Sequence, residues 1–186
     1  MVYVFLADGF EEIEALCPVD LLRRAGVDVK TVGVTGKIVT GSHAVSLEAD
    51  ILPADVADDA EMLVFPGGLA GTAHLDESPE VDRWVRRGAE QGIYLCAICA
   101  APTILGKRGL LRGRKATCFP GCEQALTGAE YLDDDVVVDG KYITGHAMGA
   151  SVEFGLALVS ALCGADAASA LRAKIYYQTQ GGAEPQ

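Results

Sequence analysis

The run Ile93-Tyr94-Leu95-Cys96-Ala97-Ile98-Cys99-Ala100-Ala101-Pro102 constrains this chain more than any other stretch. It starts as an apolar strand after Gly92 and stops at a cysteine among small residues, with a helix-compatible segment, residues 102–105, directly behind it. The pattern is strand, sharp turn, helix. Ala97 and Ala101, two positions either side, let the backbone turn tightly, so Cys99 projects from the end of a sheet. That is the logic of a nucleophile elbow with cysteine in place of serine. A sulfur at a helix N-terminus faces unpaired N–H groups and the positive end of the dipole, which lowers a thiol pKa from about 8.5 toward roughly 3.5–7.5. Cys99 is therefore expected to be mostly thiolate at neutral pH. The alternative is the usual fate of a free cysteine, a small buried hydrophobe.

The rest of the chain alternates strands and helices as a doubly wound α/β sandwich requires. Residues 2–7 read as the first strand, and a helix follows to Arg24, ended by Gly26. Pro18 cannot donate to the Glu14 carbonyl, so the first turn is expected to kink away from the rest. Glu14 then sits just beyond the carboxyl end of the first strand, the edge where ligands bind in open α/β sheets. Glu11 and Glu12 fit a solvated helix start favoured by the dipole. Residues 27–34 read as the second strand, followed by two small strands before Pro53. Residues 61–65 form the next core strand and end in Pro66-Gly67-Gly68. There the N–H groups of Gly67 and Gly68 are placed to cradle an anion or oxyanion, although glycines after a strand are often only a turn. Residues 79–91 are an amphipathic helix, 115–120 a short strand and turn, and 121–126 a brief helix. Residues 136–144 predict a hairpin with Asp139-Gly140 in a type I′ turn, and helices at 151–162 and 166–176 close the pattern.

With 186 residues, half of them hydrophobic, the chain suits one domain over residues 1–180, with 181–186 a frayed tail. The net charge of −11 disfavours nucleic acid, whose binding needs concentrated Lys and Arg. No apolar run approaches the roughly 20 residues that span a bilayer, so no membrane partner is expected. Residues 2–7 lack a basic leader and run into Asp8 and three glutamates, which reads as a strand and not a signal peptide; a cytoplasmic location is expected. The six cysteines invite another reading, because Cys96-x-x-Cys99 and Cys118-x-x-x-Cys122 approximate a zinc-ribbon spacing. Context argues against it, since zinc knuckles are polar turns whereas Cys96 lies inside an apolar strand. Cys17 and Cys163 sit in helical, apolar contexts and read as packing residues.

The motifs Gly9-Phe10-Glu11-Glu12-Ile13-Glu14-Ala15, Pro18-Val19-Asp20, Arg23-Arg24-Ala25-Gly26, Phe65-Pro66-Gly67-Gly68, Ala97-Ile98-Cys99-Ala100-Ala101-Pro102 and Glu153-Phe154-Gly155-Leu156-Ala157 occur in order across nearly the whole chain. Together they resemble the ThiJ/PfpI superfamily, specifically its DJ-one subgroup of bacterial type. The resemblance implies a flavodoxin-like fold of the class I glutamine amidotransferase kind, a homodimer, and an oxidisable elbow cysteine, Cys99, hydrogen-bonded by a protonated glutamate, Glu14. It also implies that the backbone N–H groups of Gly68 and Ala100 serve the oxyanion side, with no cofactor and no metal. Two departures stand out. Protease-like members carry a histidine directly after the nucleophile, where this chain has Ala100, and many DJ-one members carry a histidine where this chain has Phe119. The resemblance then implies His146 and Phe119 as pocket-rim candidates, His43 as a residue near the dimer interface at the rim of the partner subunit's pocket, and His74 as an ordinary surface or cap residue.

The activity so implied is cysteine-dependent conversion of small reactive carbonyls, glyoxalase- or deglycase-like, on a small aldehyde or glycated substrate. The alternative is a redox sensor or stress-responsive chaperone working through oxidation of Cys99.

Overall fold

The computed structural model describes residues 1–178. β1 (Val2–Leu6) leads to α1 (Glu12–Arg24), β2 (Val29–Gly33) and a small hairpin of β3 (Ile38–Thr40) and β4 (Ser46–Glu48). β5 (Met62–Phe65), α2 (Leu69–Glu77), α3 (Pro79–Gln91), β6 (Tyr94–Ile98) and α4 (Pro102–Lys107) follow. The remainder is β7 (Lys115–Ala116), β8 (Glu130–Tyr131), β9 (Val136–Asp139), β10 (Tyr142–Gly145), α5 (Ser151–Cys163) and α6 (Ala165–Lys174). Six strands make the central sheet in the order β2-β1-β5-β6-β10-β9, parallel except for the β9 edge. The expected flavodoxin-like, mostly parallel sheet between helices is what the chain forms.

The alternation along each strand divides the core into two layers. Val2, Val4, Leu6, Val64, Cys96, Ile98 and Ile143 pack under α1, α5 and α6. Tyr3, Phe5, Leu63, Phe65, Leu95 and Ala97 point the other way, against Leu75 of α2, Val81, Trp84 and Val85 of α3 and Ile104 and Leu105 of α4. Every residue of β1 and β5 is buried, which is why both read as continuous apolar runs and not as half-polar alternation. α1 and α5 approach closely at Gly155, where a Cβ would lie 2.6 Å from the Leu21 Cδ1.

Four details differ from the sequence reading. α1 is one unbroken helix, because the bond that Pro18 cannot make leaves only the Glu14 carbonyl without its helical donor. Of the short strand and turn expected over 115–120, the strand is only two residues long and pairs with β8 outside the main sheet. In the β9–β10 hairpin Asp139 pairs with Tyr142, so Gly140 and Lys141 are the central residues. Gly140 has φ +60 and Lys141 is not in the left-handed region, which is the signature of type II′ and not type I′. Finally, Cys96 lies in the layer under α1 and α5 and Cys118 in the opposite one, with the sheet between them. The four cysteines therefore cannot converge on one zinc ion. The expected tail, 181–186, falls outside the described residues.

The connection from β1 out to β2 and back across to β5 opens a crevice beyond the carboxyl ends of the strands, the usual ligand position in such sheets. Glu14 follows β1, Gly67 and Gly68 follow β5, and Cys99 follows β6.

Candidate active site

Cys99 is the residue at which β6 turns into α4. Its φ is +65, a left-handed conformation that costs a side-chain-bearing residue about 1–2 kcal/mol. Two backbone bonds hold it there: its N–H donates to Gly145 O at 2.9 Å, and its carbonyl accepts from Phe119 N at 2.7 Å. The turn closes with Ala101 N–H on Ile98 O at 3.1 Å, and Ala97 and Ala101 are fully buried, as a tight elbow demands. The sequence expectation of an elbow is met in its backbone.

Opposite Cys99 stands Glu14, with no exposure to solvent. Its Oε2 accepts from Gly67 N at 2.9 Å, and Oε1 is buried without a hydrogen-bond partner of good geometry among the described residues. The Glu14 carboxyl and the Cys99 thiol nevertheless act on each other directly, and the N–H groups of Gly68 and Ala100 support the sulfur. Gly67 makes the close approach possible: a Cβ there would lie 2.5 Å from Glu14 Oε2 and 2.7 Å from the Cys99 Cβ. Of the three expected backbone donors, Gly67 is engaged by the carboxyl, while Gly68 and Ala100 act on the thiol by lowering its pKa.

Burial pushes the Glu14 carboxyl up to about 7, with the charge of Glu11 adding to it, while the contacts with Cys99 and Gly67 oppose the shift. Burial also pushes the Cys99 thiol up to about 12, followed by the charge of Glu14 and the hydrogen bond to it; the Gly68 and Ala100 N–H groups pull the other way. The sequence expectation of a dipole-lowered thiol fails here. α4 has only six residues and begins three positions after Cys99, so its dipole does not outweigh the burial and a facing carboxylate. The carboxyl raises the thiol while the thiol's contact lowers the carboxyl, and once the first proton leaves, near 7, the pair shares the one that remains. When that remaining proton sits on Glu14, it removes the repulsion of the sulfur and turns the carboxyl into a donor to a thiolate.

The neighbours fall in distinct places. Phe119, whose N–H holds the elbow carbonyl, is 40% exposed. His146 follows the Gly145 that binds the Cys99 N–H, but its Nδ1 is taken by Thr117 Oγ1 at 3.1 Å and lies 3.8 Å from Asp133 Oδ1. His43 is bonded to Glu12, through its N–H at 2.7 Å and its Nδ1 at 3.1 Å, and not to Cys99. His74 ties its Nδ1 to Asp8 O at 2.8 Å. Glu12 overturns its reading as a solvated helix start. It is 6% exposed and, against the cost of burial, the backbone N–H and ring of His43 hold its carboxyl down to about 2. Glu11 accepts from Glu14 N at 2.7 Å and caps α1, a role its place three residues before Glu14 signals. Cys163 is exposed, not packed, because it ends α5. Among the described residues, the group with metal-ligand spacing is Glu11, Glu12 and His43.

A family model described as the DJ-1/PfpI family matches residues 1–161. The chain belongs to the DJ-1/PfpI family. Among DJ-1/PfpI relatives, protein dj-1beta of Drosophila melanogaster is 39% identical over 87% of this chain and 88% of its own length. A deglycase of Pyrococcus abyssi is 30% identical over 80% of this chain and 90% of its own. The structure of Toxoplasma gondii DJ-1, oxidized, superposes with a TM-score of 0.91 at 31% identity, covering 96% of this chain and 98% of that one. The fold is thus the mostly parallel, flavodoxin-like one of DJ-1/PfpI structures.

Proposed function

We propose that the chain is a cofactor-independent enzyme that converts small reactive carbonyls into hydroxy acids, a glyoxalase- or deglycase-like activity protecting against carbonyl and oxidative stress. The observation that carries the reading is the raised, solvent-free Glu14 carboxyl set against Cys99 at the carboxyl edge of the sheet. On methylglyoxal, the Cys99 thiolate adds to the aldehyde carbon, a C–S bond forms, and the carbonyl electrons move to oxygen, which takes up a proton to give a hemithioacetal. Gly68 and Ala100 N–H groups stabilise that oxygen while it is charged. Glu14, as carboxylate, takes the proton from the carbon bearing sulfur and returns it to the neighbouring carbon. The first carbon is thereby oxidised and the second reduced, leaving a thioester that water hydrolyses to lactate and free Cys99. No outside electron carrier enters. The deglycase among the relatives supports this substrate class.

A second reading, a redox sensor or stress-responsive chaperone, is favoured by a relative whose structure is of the oxidized protein. The deciding experiment is methylglyoxal consumption with lactate detection, without glutathione, on wild type, Cys99→Ser and Glu14→Gln. Turnover by wild type alone supports the enzyme. Wild type no faster than Cys99→Ser refutes it for this substrate, and selective oxidation of Cys99 in the same preparation then supports the sensor.

The same reading carries a homodimer and a cytoplasmic location. Ile13 and Leu16 on α1 and Val45 in the loop beside Glu12 expose 49%, 42% and 50% of their surfaces, an aliphatic stripe suited to a second copy. All six cysteines are unpaired, as a reducing compartment requires, and no described helix is long and apolar enough to cross a membrane.

A further inference from the structure

The Cys118-x-x-x-Cys122 pair is not absorbed by the chemistry of Cys99. Between the two cysteines the chain makes a tight reversal over Phe119-Pro120-Gly121-Cys122, closed by Cys122 N–H on Phe119 O at 3.0 Å. Pro120 at the second position and Gly121, with φ +92, at the third define a type II turn, a geometry that brings its first and last Cα atoms within 7 Å. Cys118 immediately precedes this turn and Cys122 closes it. Both sulfurs belong to the same side of the sheet, Cys118 fully buried in the layer under α3 and α4 and Cys122 half-buried against it. The Cys118 thiol is close enough to Cys122 to feel its charge. Cys122 gives an oxidant its entry and Cys118 is the partner waiting behind it.

We propose that Cys118 and Cys122 are a second, independent redox site, which closes to an intramolecular disulfide under thiol-oxidising stress. With oxidised glutathione as the oxidant, the Cys122 thiolate attacks one glutathione sulfur and expels a glutathione thiolate. The Cys118 thiol, after losing its proton, then displaces the second glutathione. One S–S bond is broken and one formed, two electrons pass to glutathione, and the two protons end on the two glutathione thiols formed. The ring so closed brackets Phe119, whose N–H holds the Cys99 carbonyl. The proposal does not depend on the carbonyl chemistry of Cys99.

The test uses the Cys99→Ser chain, so that elbow chemistry cannot contribute, equilibrated in glutathione buffers from reducing to oxidising and analysed by differential alkylation and mass spectrometry. The expected result is loss of two alkylatable thiols, a crosslink between the peptides carrying Cys118 and Cys122, and full recovery with dithiothreitol. In Cys118→Ser,Cys99→Ser the closure is lost and Cys122 keeps a glutathione adduct. Because Cys118 is buried, Cys122→Ser,Cys99→Ser serves as the variant safer for folding, and it should form no crosslink. A glutathione adduct on Cys122 of the chain with both thiols, without closure, overturns the proposal, as does a crosslink from either thiol to Cys17, Cys96 or Cys163 instead.

Discussion

At the residue scale the site is a compromise between stability and reactivity. The Glu14 carboxyl titrates at about 7, against 4.5 for an unburied glutamate. A carboxyl whose folded pKa is raised favours folding fully below the unfolded value, and that contribution is lost as pH rises through about 7. The difference corresponds to roughly 3 kcal/mol. Glu14→Gln, which keeps an oxygen for the Gly67 N–H, should therefore raise the melting temperature at pH ~8 and change it little at pH ~4, read by calorimetry. An equal shift at both pH values would mean that Glu14 is not the titrating group. In the proposed reaction the same titration would set the rate: below about 7 the pair holds both protons and has neither thiolate nor base, so turnover should rise with pH through about 7 in wild type. A flat profile would remove the shared proton from the rate law.

At the element scale, the loop after β5 is as much part of the site as the side chains. Gly67 sits where Glu14 and Cys99 meet, and any Cβ there collides with both. Gly67→Ala should keep the fold, at a cost of about 1–3 kcal/mol, and separate the carboxyl from the sulfur. The check is Cys99 alkylation by iodoacetamide together with turnover: turnover should fall while alkylation rises, because the neighbour that holds the thiol up has been moved away, and circular dichroism should stay unchanged. Gly68 tolerates less. With φ +85 and a would-be Cβ 2.3 Å from the Gly9 carbonyl, its side-chain-free backbone is what lets the loop pass over the Gly9 turn. The amphipathic pattern of α3 and the apolar runs of β1 and β5 made these elements readable. The shortness of β7 was not, because Cys118 beyond it packs in the same layer as Ala116 without extending the strand.

At the scale of the whole molecule, the exposed stripe of Ile13, Leu16 and Val45 is the surface on which the proposed dimer rests. Leu16→Glu puts a charge at its centre, and the proposed dimer should dissociate to monomer in sedimentation equilibrium while the far-ultraviolet spectrum is kept. A monomeric wild type, or a variant still dimeric, would place the interface elsewhere. The molecule also shows why zinc spacing misleads: Cys96 and Cys118 are separated by a sheet that no count of intervening residues can reveal.

The sequence alone determined the alternation of strands and helices, the elbow at Cys99, and the candidacy of Glu14, because periodicity and turn chemistry are local properties of neighbouring residues. Tertiary structure decided what those residues become. Burial and a facing carboxyl, not the dipole of a short helix, govern the Cys99 thiol. The loop carrying His43 draws the Glu12 charge into the protein, and Gly67 spends its N–H on Glu14. Solvation and contacts between segments distant in the chain act through space, and no local pattern encodes them.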